Sequence, residues 1–247
     1  MKRYTEKNVV ITGCNRGIGK AMVEAFAKEG ANIIACTRKL TPEIEAWYEE
    51  LRREHGVEIH AVQVEMGDKE SINAAIKAIF GLRIPVHVLI NNAGIAHFDG
   101  LMKMQYETLE ETFRVNYYGP LMLIKGLVMP MMKANGACVI NMASVAGMDG
   151  TAGNCAYGAS KAALILATKT LSKELAKPKI RVNAIAPSIV ETEMSATIDS
   201  AIREEQLANT AISRPASTEE IARVVLFLAS EEASYINGQI LRVDGGM

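Results

Sequence analysis

Short aliphatic runs alternate with longer segments of helical periodicity along the whole chain. The short runs have few polar positions and are rich in β-branched residues. Strands that are apolar on both faces are typical of a parallel sheet covered by helices on both sides. The predicted strands are 8–12, 32–36, 58–64, 86–91, 137–142, 180–185 and 239–243.

Helical patterns fill the intervals between these strands. The predicted helices are 17–29, a helix opening at Pro42, 69–80, 106–133, 155–176 and 218–229. Right-handed crossovers between parallel strands then give a doubly wound α/β sheet of about seven parallel strands, with helices on both faces. No linker, repeat or low-complexity tract interrupts the alternation, so we predict a single domain over 1–247.

The segment 188–214 breaks this rhythm. Directly after the carboxyl end of a predicted strand, its residues follow a mixed pattern that includes Thr192, Met194, Ala201, Ile202 and Leu207. Ligands of open α/β sheets bind at that edge, so we predict a lid over the substrate. A plain surface excursion is the alternative.

Composition and charge narrow the classes of partner. The formal net charge of −1 gives no reason to expect nucleic acid or an anionic membrane surface. No stretch of about 18 apolar residues exists, so no membrane span is predicted. The cysteines lack metal-ligand spacing, so we expect reduced thiols in a cytoplasmic protein and no metal site: Cys14, Cys36, Cys138 and Cys155.

A glycine-rich loop follows the first strand and opens the first helix. Its spacing, G-x-x-x-G-x-G, is a variant of the dinucleotide fingerprint. The glycines allow a tight turn and close approach of the backbone, and the helix N-terminus offers N–H donors to a pyrophosphate. The residues predicted to contact the cofactor here are Gly13, Asn15, Arg16, Gly17, Ile18 and Gly19.

The end of the second strand predicts which dinucleotide is bound. An NAD site usually places a carboxylate there, whereas this chain reads Cys36-Thr37-Arg38-Lys39. The Arg38 guanidinium would attract a ribose 2′-phosphate through charge-assisted hydrogen bonds, and Arg16 could approach it from the other side. We therefore predict NADP, with Thr37 and Arg38 among its contacts.

Tyr157 and Lys161 stand four residues apart and share one helix face. A phenol has a pKa of about 10, and a neighbouring positive charge lowers it. The hydroxyl of Ser144 can hold a carbonyl or alcohol oxygen against the phenol. These are the groups needed to move a proton onto or off an oxygen while a hydride moves at the attached carbon.

With these residues assembled, the chain resembles the short-chain dehydrogenase/reductase family over essentially its whole length. The matching motifs are the 13–19 loop, Asn91-Asn92-Ala93-Gly94, Asn116, Ser144, Tyr157 with Lys161, Pro187 with Thr192, and 243–247. Within the family it is most similar to the bacterial 3-oxoacyl-(acyl-carrier-protein) reductase group, because of its short length, Ile236-Asn237-Gly238-Gln239 and the closing Asp-Gly-Gly-Met.

The resemblance implies roles for four catalytic residues. Tyr157 would be the general acid in reduction and the base in oxidation. Lys161 would lower the pKa of Tyr157 and bind the nicotinamide ribose. Ser144 would orient the substrate oxygen, and Asn116 would hold a water linked to Lys161.

The resemblance also implies further contacts. For the cofactor these are Glu65 and Met66 at the adenine, Asn92 at the adenosine ribose, and Val190 with Thr192 at the nicotinamide carboxamide. Ala93, Gly94 and Pro187 are further cofactor contacts. For the substrate they are Ser144, Ala146, Asn154 and Tyr157. We also expect Ala96, His97, Phe98 and the segment 146–154 to line the substrate site.

Two departures from the family pattern stand out. Ser188 follows Pro187 where glycine is typical, which would alter a backbone conformation with positive φ. Acyl-carrier-protein reductases present arginines to their acidic partner, where this chain has Ala134-Asn135 and Lys177-Pro178-Lys179.

Three functions remain open at this point. The leading one is NADP-dependent reduction of a carbonyl, with 3-oxoacyl thioesters as favoured substrates and acyl carrier protein as a candidate partner. The second is a dehydrogenase acting on a free secondary alcohol or ketone, such as a steroid, sugar or polyol. The third is a dinucleotide-binding sensor or scaffold. Surplus apolar residues on the two long helices, together with the resemblance, imply a homotetramer.

Overall fold

Seven parallel strands form one sheet in the order β3-β2-β1-β4-β5-β6-β7. The strands are β1 (Asn8–Thr12), β2 (Asn32–Thr37), β3 (Ile59–Gln63), β4 (Val88–Asn91), β5 (Cys138–Met142), β6 (Arg181–Pro187) and β7 (Ile240–Val243). In this computed structural model the described residues are 2–198 and 200–247. Met1, Asp199 and the side chain of Ala201, two of them within the predicted lid, lie outside the described residues.

Eight α-helices connect the described strands. They are α1 (Gly17–Lys28), α2 (Pro42–His55), α3 (Lys69–Gly81), α4 (Tyr106–Phe113), α5 (Gly119–Met132), α6 (Cys155–Glu174), α7 (Ser200–Ala208) and α8 (Thr218–Ala229). Several start at side chains that accept a backbone N–H: Asp68 from Ser71 at 2.6 Å, and Ser217 from Glu220 at 3.2 Å within a capping box. Such caps satisfy N–H groups that have no partner within the helix.

Apolar side chains on both faces of the sheet hold these layers together. On β2, Ile33 packs into a cluster with α1, α2 and α8, whereas its neighbour Ile34 packs into a second cluster with α3 and α5. Both isoleucines are fully buried, and each such burial contributes roughly 1.5–3 kcal/mol. The predicted fold class, a doubly wound parallel sheet, is therefore confirmed.

The predicted helix 106–133 is divided in the structure. A π-helical turn spans Arg114–Tyr118 between α4 and α5, and the N–H of Gly119 bonds the carbonyl of Arg114, five residues back. Pro120 lacks the N–H that an α-helix would give to the carbonyl of Asn116. The helix therefore widens around Asn116, and π-turns of this kind are frequent at functional sites.

The strand order reverses beside β1, which pairs with β2 on one side and β4 on the other. The connections leaving β1 and β4 diverge at this point and open a crevice outside the carboxyl ends of the strands. The fold thus places the glycine loop, the 91–94 turn and the residues after β5 and β6 along one edge.

The segment 188–214 is folded back on the body of the protein. It contains a 3₁₀ turn at Ser195–Thr197 and α7, and Val190 forms a bridge with Ala216. Ser188 is absent from the described non-glycine residues with left-handed φ, so the backbone there is compatible with a serine. That this conformation differs from the one glycine takes in the family stays a prediction. Motion of this segment as a lid stays a prediction.

Hydropathy along the helices bears on membrane insertion. Over residues 2–198 and 200–247, no helix combines the length and the apolar character needed to cross a bilayer.

Candidate active site

A cavity of about 690 Å³ opens at the carboxyl edge of the sheet. Every predicted cofactor contact lines it, from Gly13 in the first loop to Thr192 after β6, and so do Ser144, Ala146, Asn154 and Tyr157 from the predicted substrate contacts. Among the predicted catalytic residues Ser144, Tyr157 and Lys161 line it as well. The roles of these residues remain predictions, but the structure brings them to one site.

The start of α1 fits the phosphates of a dinucleotide. In the part of the chain that the structure describes, no side chain caps this helix and its first turn holds no acidic residue. The first N–H groups are thus left for an anion. Gly19 is required because an added Cβ would lie 2.0 Å from the carbonyl oxygen of Gly13.

Thr12 is a site residue that the sequence analysis missed. Its Oγ1 accepts hydrogen bonds of 3.0 Å from the N–H groups of Asn92 and Ala93. The Asn92 side chain in turn donates to the carbonyls of Thr12 and Gly13, both at 3.0 Å. Asn92 therefore joins the 91–94 turn to the glycine loop. The sequence feature that could have identified Thr12 is a hydroxyl side chain immediately before the first glycine of the loop.

The part of the cavity beside the end of β2 holds the predicted selectivity residues. Arg38 Nε lies 3.8 Å from Glu65 Oε2, with both side chains largely exposed. Asn15 Nδ2 and Thr37 Oγ1 each donate to the carbonyl of Lys39, at 3.3 and 3.0 Å. Lys39 also lines the cavity and adds a second cation beside Arg38, which sequence reasoning did not assign.

Arg16 has a different partner from Arg38. Its guanidinium forms an ion pair with Glu193, in the segment that follows β6. The sequence analysis expected Arg16 to face the same phosphate as Arg38, and it missed Glu193. The pairing connects the glycine loop to the start of the predicted lid, and the approach of Arg16 to a 2′-phosphate stays a prediction.

The predicted proton-transfer residues come from β5 and α6. Ser144 follows β5 by two residues, and Tyr157 lies in the first turn of α6. Lys161 is 4% exposed, and its Nζ lies 5.8 Å from the centroid of the Tyr157 ring. Its ammonium donates a 2.7 Å hydrogen bond to the carbonyl of Met142.

Burial dominates the titration of both groups. It raises the pKa of Tyr157, against a smaller lowering by the hydrogen bond with Ser144. Burial also lowers the pKa of Lys161 to about 8. The net direction for Tyr157 is opposite to the sequence-based expectation, because the cost of burying a phenolate outweighs the favourable interactions. A protonated phenol near neutral pH suits a general acid.

Asn116 lies beneath the cavity wall instead of lining it. It is fully buried, its Nδ2 donates to the carbonyl of Ile95 at 2.9 Å and to Ser160 Oγ at 3.0 Å, and its Oδ1 accepts from the Ile95 N–H at 2.9 Å. Ser160 Oγ donates onward to the carbonyl of Tyr157 at 2.7 Å. The side chain thus ties the loop after β4 to α6. Its backbone carbonyl, which Pro120 leaves without an α-helical N–H partner, is available to the predicted water.

Apolar side chains form much of the described cavity lining near Tyr157. Phe98 stands 6.4 Å from Tyr157 between ring centroids. The expectation for Ala96 and His97 is wrong, since neither lines the cavity and His97 Nε2 lies 3.6 Å from Glu111. Of the predicted segment, the lining residues are Ala146, Thr151, Ala152, Gly153 and Asn154. The charged residues of the described lining are Arg16, Arg38, Lys39, Glu65, Lys161 and Glu193.

Comparison with known proteins gives consistent matches. A family model described as Enoyl-(Acyl carrier protein) reductase matches residues 13–247. The 3-oxoacyl-[acyl-carrier-protein] reductase FabG of Aquifex aeolicus is 37% identical over 238 residues, covering 96% of each chain. That of Thermotoga maritima is 36% identical over 246 residues, covering 99% of each.

Solved structures show the same architecture. A 3-oxoacyl-[acyl-carrier protein] reductase from Brucella melitensis with bound NAD is similar with a TM-score of 0.89 and 30% identity, over 100% of this chain and 92% of that one. L-sorbose reductase from Gluconobacter frateurii, complexed with NADPH and L-sorbose, is similar with a TM-score of 0.90 and 30% identity, over 100% and 98%.

Proposed function

This chain belongs to the short-chain dehydrogenase/reductase family, and we propose that it is an NADP-dependent oxidoreductase that reduces a carbonyl to a secondary alcohol. One observation carries the proposal. Ser144, Tyr157 and Lys161 line the same cavity as the glycine loop. A sensor or scaffold that only bound a dinucleotide would have no need of that group.

Each of the three side chains has a distinct task in reduction. The Ser144 hydroxyl donates a hydrogen bond to the substrate carbonyl oxygen and holds it against the phenol. Tyr157 gives its proton to that oxygen, and the Lys161 ammonium stabilises the phenolate that remains. A bound nicotinamide dinucleotide supplies the hydride that the carbonyl carbon receives. Asn116 acts as a positioning residue, because it fixes the backbone around Tyr157.

Charge at the end of β2 supports NADP as the preferred cofactor. Arg38 and Lys39 both line the cavity there, and Glu65 is the acidic residue beside them. An exposed ion pair is worth at most about 1 kcal/mol, so Arg38 can exchange Glu65 for a 2′-phosphate at little cost. The phosphate also offers the guanidinium a stronger, bidentate partner.

Two substrate classes have support. The relatives named as 3-oxoacyl-[acyl-carrier-protein] reductases favour 3-oxoacyl thioesters, with acyl carrier protein as the partner and Lys177 and Lys179 as its candidate contacts. A free ketone is the second candidate. It is supported by the likeness to L-sorbose reductase and by the small number of charged residues in the described cavity lining, of which Lys161 is the one beside Tyr157.

We further propose a homotetramer in the cytoplasm. Tyr106 is 72% exposed, Met129 59% and Leu166 66%, on α4, α5 and α6 respectively. Large apolar side chains at this exposure favour burial against another subunit. The cysteines are free thiols, which is typical of a reducing compartment.

Steady-state kinetics test the activity. NADPH and NADH would be compared with the N-acetylcysteamine thioester of acetoacetate and with a panel of free ketones that includes L-sorbose. We expect faster turnover with NADPH and with the thioester. Faster turnover of a free ketone would select the second substrate class, and the absence of any carbonyl reduction with either cofactor would contradict the enzyme proposal.

A further inference from the structure

Arg242, on the edge strand β7, links segments that are far apart in sequence. Its Nη1 lies 2.7 Å from Asp149 Oδ2, and its Nε lies 2.7 Å from Asp244 Oδ2. Its Nη2 donates to the carbonyl of Met247 at 3.5 Å. One guanidinium therefore holds the 144–154 segment and the 244–247 segment together.

The 244–247 segment is a wall of the cavity. Met247 is one of the lining residues. The carbonyl of Gly245 accepts a 3.0 Å hydrogen bond from the Ile212 N–H, and a Cβ added to Gly245 would lie 2.8 Å from Thr210 Cγ2. The segment is thus packed closely against the end of the predicted lid.

The other partner of Arg242, Asp149, lies in a second segment that contributes to the cavity lining. Asp149 lies between Ser144 and Asn154, both of which line the cavity, although Asp149 itself does not. The contacts of Arg242 therefore set the spacing between the wall that carries Met247 and the wall that carries Ser144. Asp244 has a side chain only 13% exposed and anchors the arginine from β7.

We propose that Met247 is a specificity-determining residue that limits the length of the substrate's apolar arm, and that Arg242, acting through Asp149, is a positioning residue for this wall. The inference rests on the proposed function, because Met247 lines the same cavity as Ser144, Tyr157 and Lys161. A flexible, apolar methionine at this place favours a neutral, unbranched arm over a charged one.

The first test replaces Met247 and measures selectivity. The probes are the N-acetylcysteamine thioesters of acetoacetate and of 3-oxodecanoate. Met247→Ala is expected to raise the ratio of kcat/KM for the long over the short thioester by about tenfold, and Met247→Phe to lower it, as expected for a change of a few carbon atoms in an apolar pocket. An unchanged ratio in both variants overturns the role of Met247.

The second test separates positioning from stability. Asp149→Asn and Arg242→Met are each expected to raise KM for both thioesters by about threefold to fivefold, as expected for the loss of a partly exposed ion pair. The kcat and the KM for NADPH should stay within about twofold. The double variant should have the same KM as the single variants, because each single variant already removes the contact between Arg242 and Asp149. Asp149 is exposed, so Asp149→Asn should fold normally. It can therefore be measured even if Arg242→Met fails to fold.

Arg52→Met is the matched control. Arg52 also bonds two carboxylates and a backbone carbonyl, from Glu45, Glu49 and Ile59, but α2 does not line the cavity in its described residues. It is expected to lose stability without a change in KM. If Asp149→Asn leaves KM for the thioesters unchanged, or raises KM for NADPH equally, the positioning role is overturned. A wild-type protein that reduces no carbonyl overturns the proposed function instead, which is a separate result.

Discussion

The Lys161 ammonium is hydrogen-bonded to the backbone carbonyl of Met142, at 2.7 Å. Met142 is the last residue of β5, and Ser144 follows two residues later. The end of one buried strand therefore fixes both the cation and the hydroxyl that flank Tyr157. Because the strand is rigid, the relative placement of these groups is set by the sheet and does not depend on a mobile loop.

Replacing Tyr157 by phenylalanine tests the proton transfer. Tyr157→Phe keeps the ring and its packing against Phe98 but removes the hydroxyl that gives up the proton. We expect kcat for carbonyl reduction to fall by at least about 10²–10⁴-fold, the usual contribution of a positioned acid. The dissociation constant of NADPH, from fluorescence titration, should change little.

Tyr118→Phe serves as its control, because Tyr118 is 52% exposed and lies outside the described lining. Its kcat should match that of the wild type. Near-normal turnover by Tyr157→Phe would contradict the assigned role.

The rate of reduction is expected to depend on the charge of Lys161. Burial lowers its pKa to about 8, so the ammonium is charged below that pH and neutral above it. A neutral amine no longer stabilises the phenolate that forms as Tyr157 loses its proton. We therefore expect kcat/KM to fall as pH rises through about 8, measured between pH 6 and 10. A rate that climbs across this range would be incompatible with the assignment.

Stability should vary with pH in the opposite sense. In the unfolded chain Lys161 titrates near 10.5, so between about 8 and 10.5 the unfolded state holds a proton that the native state lacks. The contribution of this group therefore rises with pH in that window, by about 3 kcal/mol at roughly 1.4 kcal/mol for each pKa unit. Lys161→Met should exceed the wild type in free energy of unfolding at pH 7, and the gap should shrink at pH 10. Urea unfolding at both pH values measures this difference in free energy of unfolding between variant and wild type. A difference that is the same at pH 7 and pH 10 would contradict the explanation.

Much of the fold could be predicted from the sequence, because buried parallel strands are continuous apolar runs. Ile33 and Ile34 illustrate this, since neighbouring residues of β2 enter opposite cores and both must be apolar. The π-turn around Asn116 could not be predicted from periodicity. It depends on a one-residue widening that leaves the pattern of buried positions nearly unchanged.

The residues of the candidate site could be predicted better than the side chains with which they form ion pairs. Arg16 and Arg38 stood out by residue type, but the carboxylates paired with them, Glu193 and Glu65, come from distant segments. The expected direction of the Tyr157 pKa shift was also wrong, because burial raises this pKa. Burial depends on tertiary packing, which the spacing of residues in the sequence does not reveal.

Cofactor preference should reverse with the charge at position 38. Arg38→Asp places a carboxylate beside Glu65, and both would repel a 2′-phosphate. We expect the ratio of kcat/KM with NADPH to that with NADH to fall by at least about 100-fold, since a charge-assisted pair of 1.5–3 kcal/mol becomes a repulsion. Glu65→Gln should have the opposite effect, a rise of a few-fold, because Arg38 loses a competing partner. Strong NADPH preference retained by Arg38→Asp would refute the electrostatic explanation.

Asn116 should matter for stability as well as for rate. Asn116→Leu has a similar volume but leaves the N–H and carbonyl of Ile95 without their partner. Each buried group without a hydrogen bond costs about 1–3 kcal/mol, so we expect a loss of roughly 2–4 kcal/mol in urea unfolding, together with a lower kcat. Ser160→Ala removes one bond to Asn116 and should cost about 1 kcal/mol. Equal stability losses in the two variants would contradict the bridging role.

Gly19 should be intolerant of even one added methyl group. Gly19→Ala would place Cβ 2.0 Å from the carbonyl oxygen of Gly13, so the glycine loop must shift away from α1. We expect the dissociation constant of NADPH to rise at least about tenfold and the free energy of unfolding to fall by about 1–3 kcal/mol, the usual cost of overpacking.

Gly81→Ala is the matched control, because an added Cβ at this helical glycine meets no atom within 4 Å in the described structure. That variant should gain up to about 1 kcal/mol from helix propensity and bind NADPH normally. Unaltered NADPH binding by Gly19→Ala would show that the loop can move without loss of the phosphate site, and the geometric argument for it would fail.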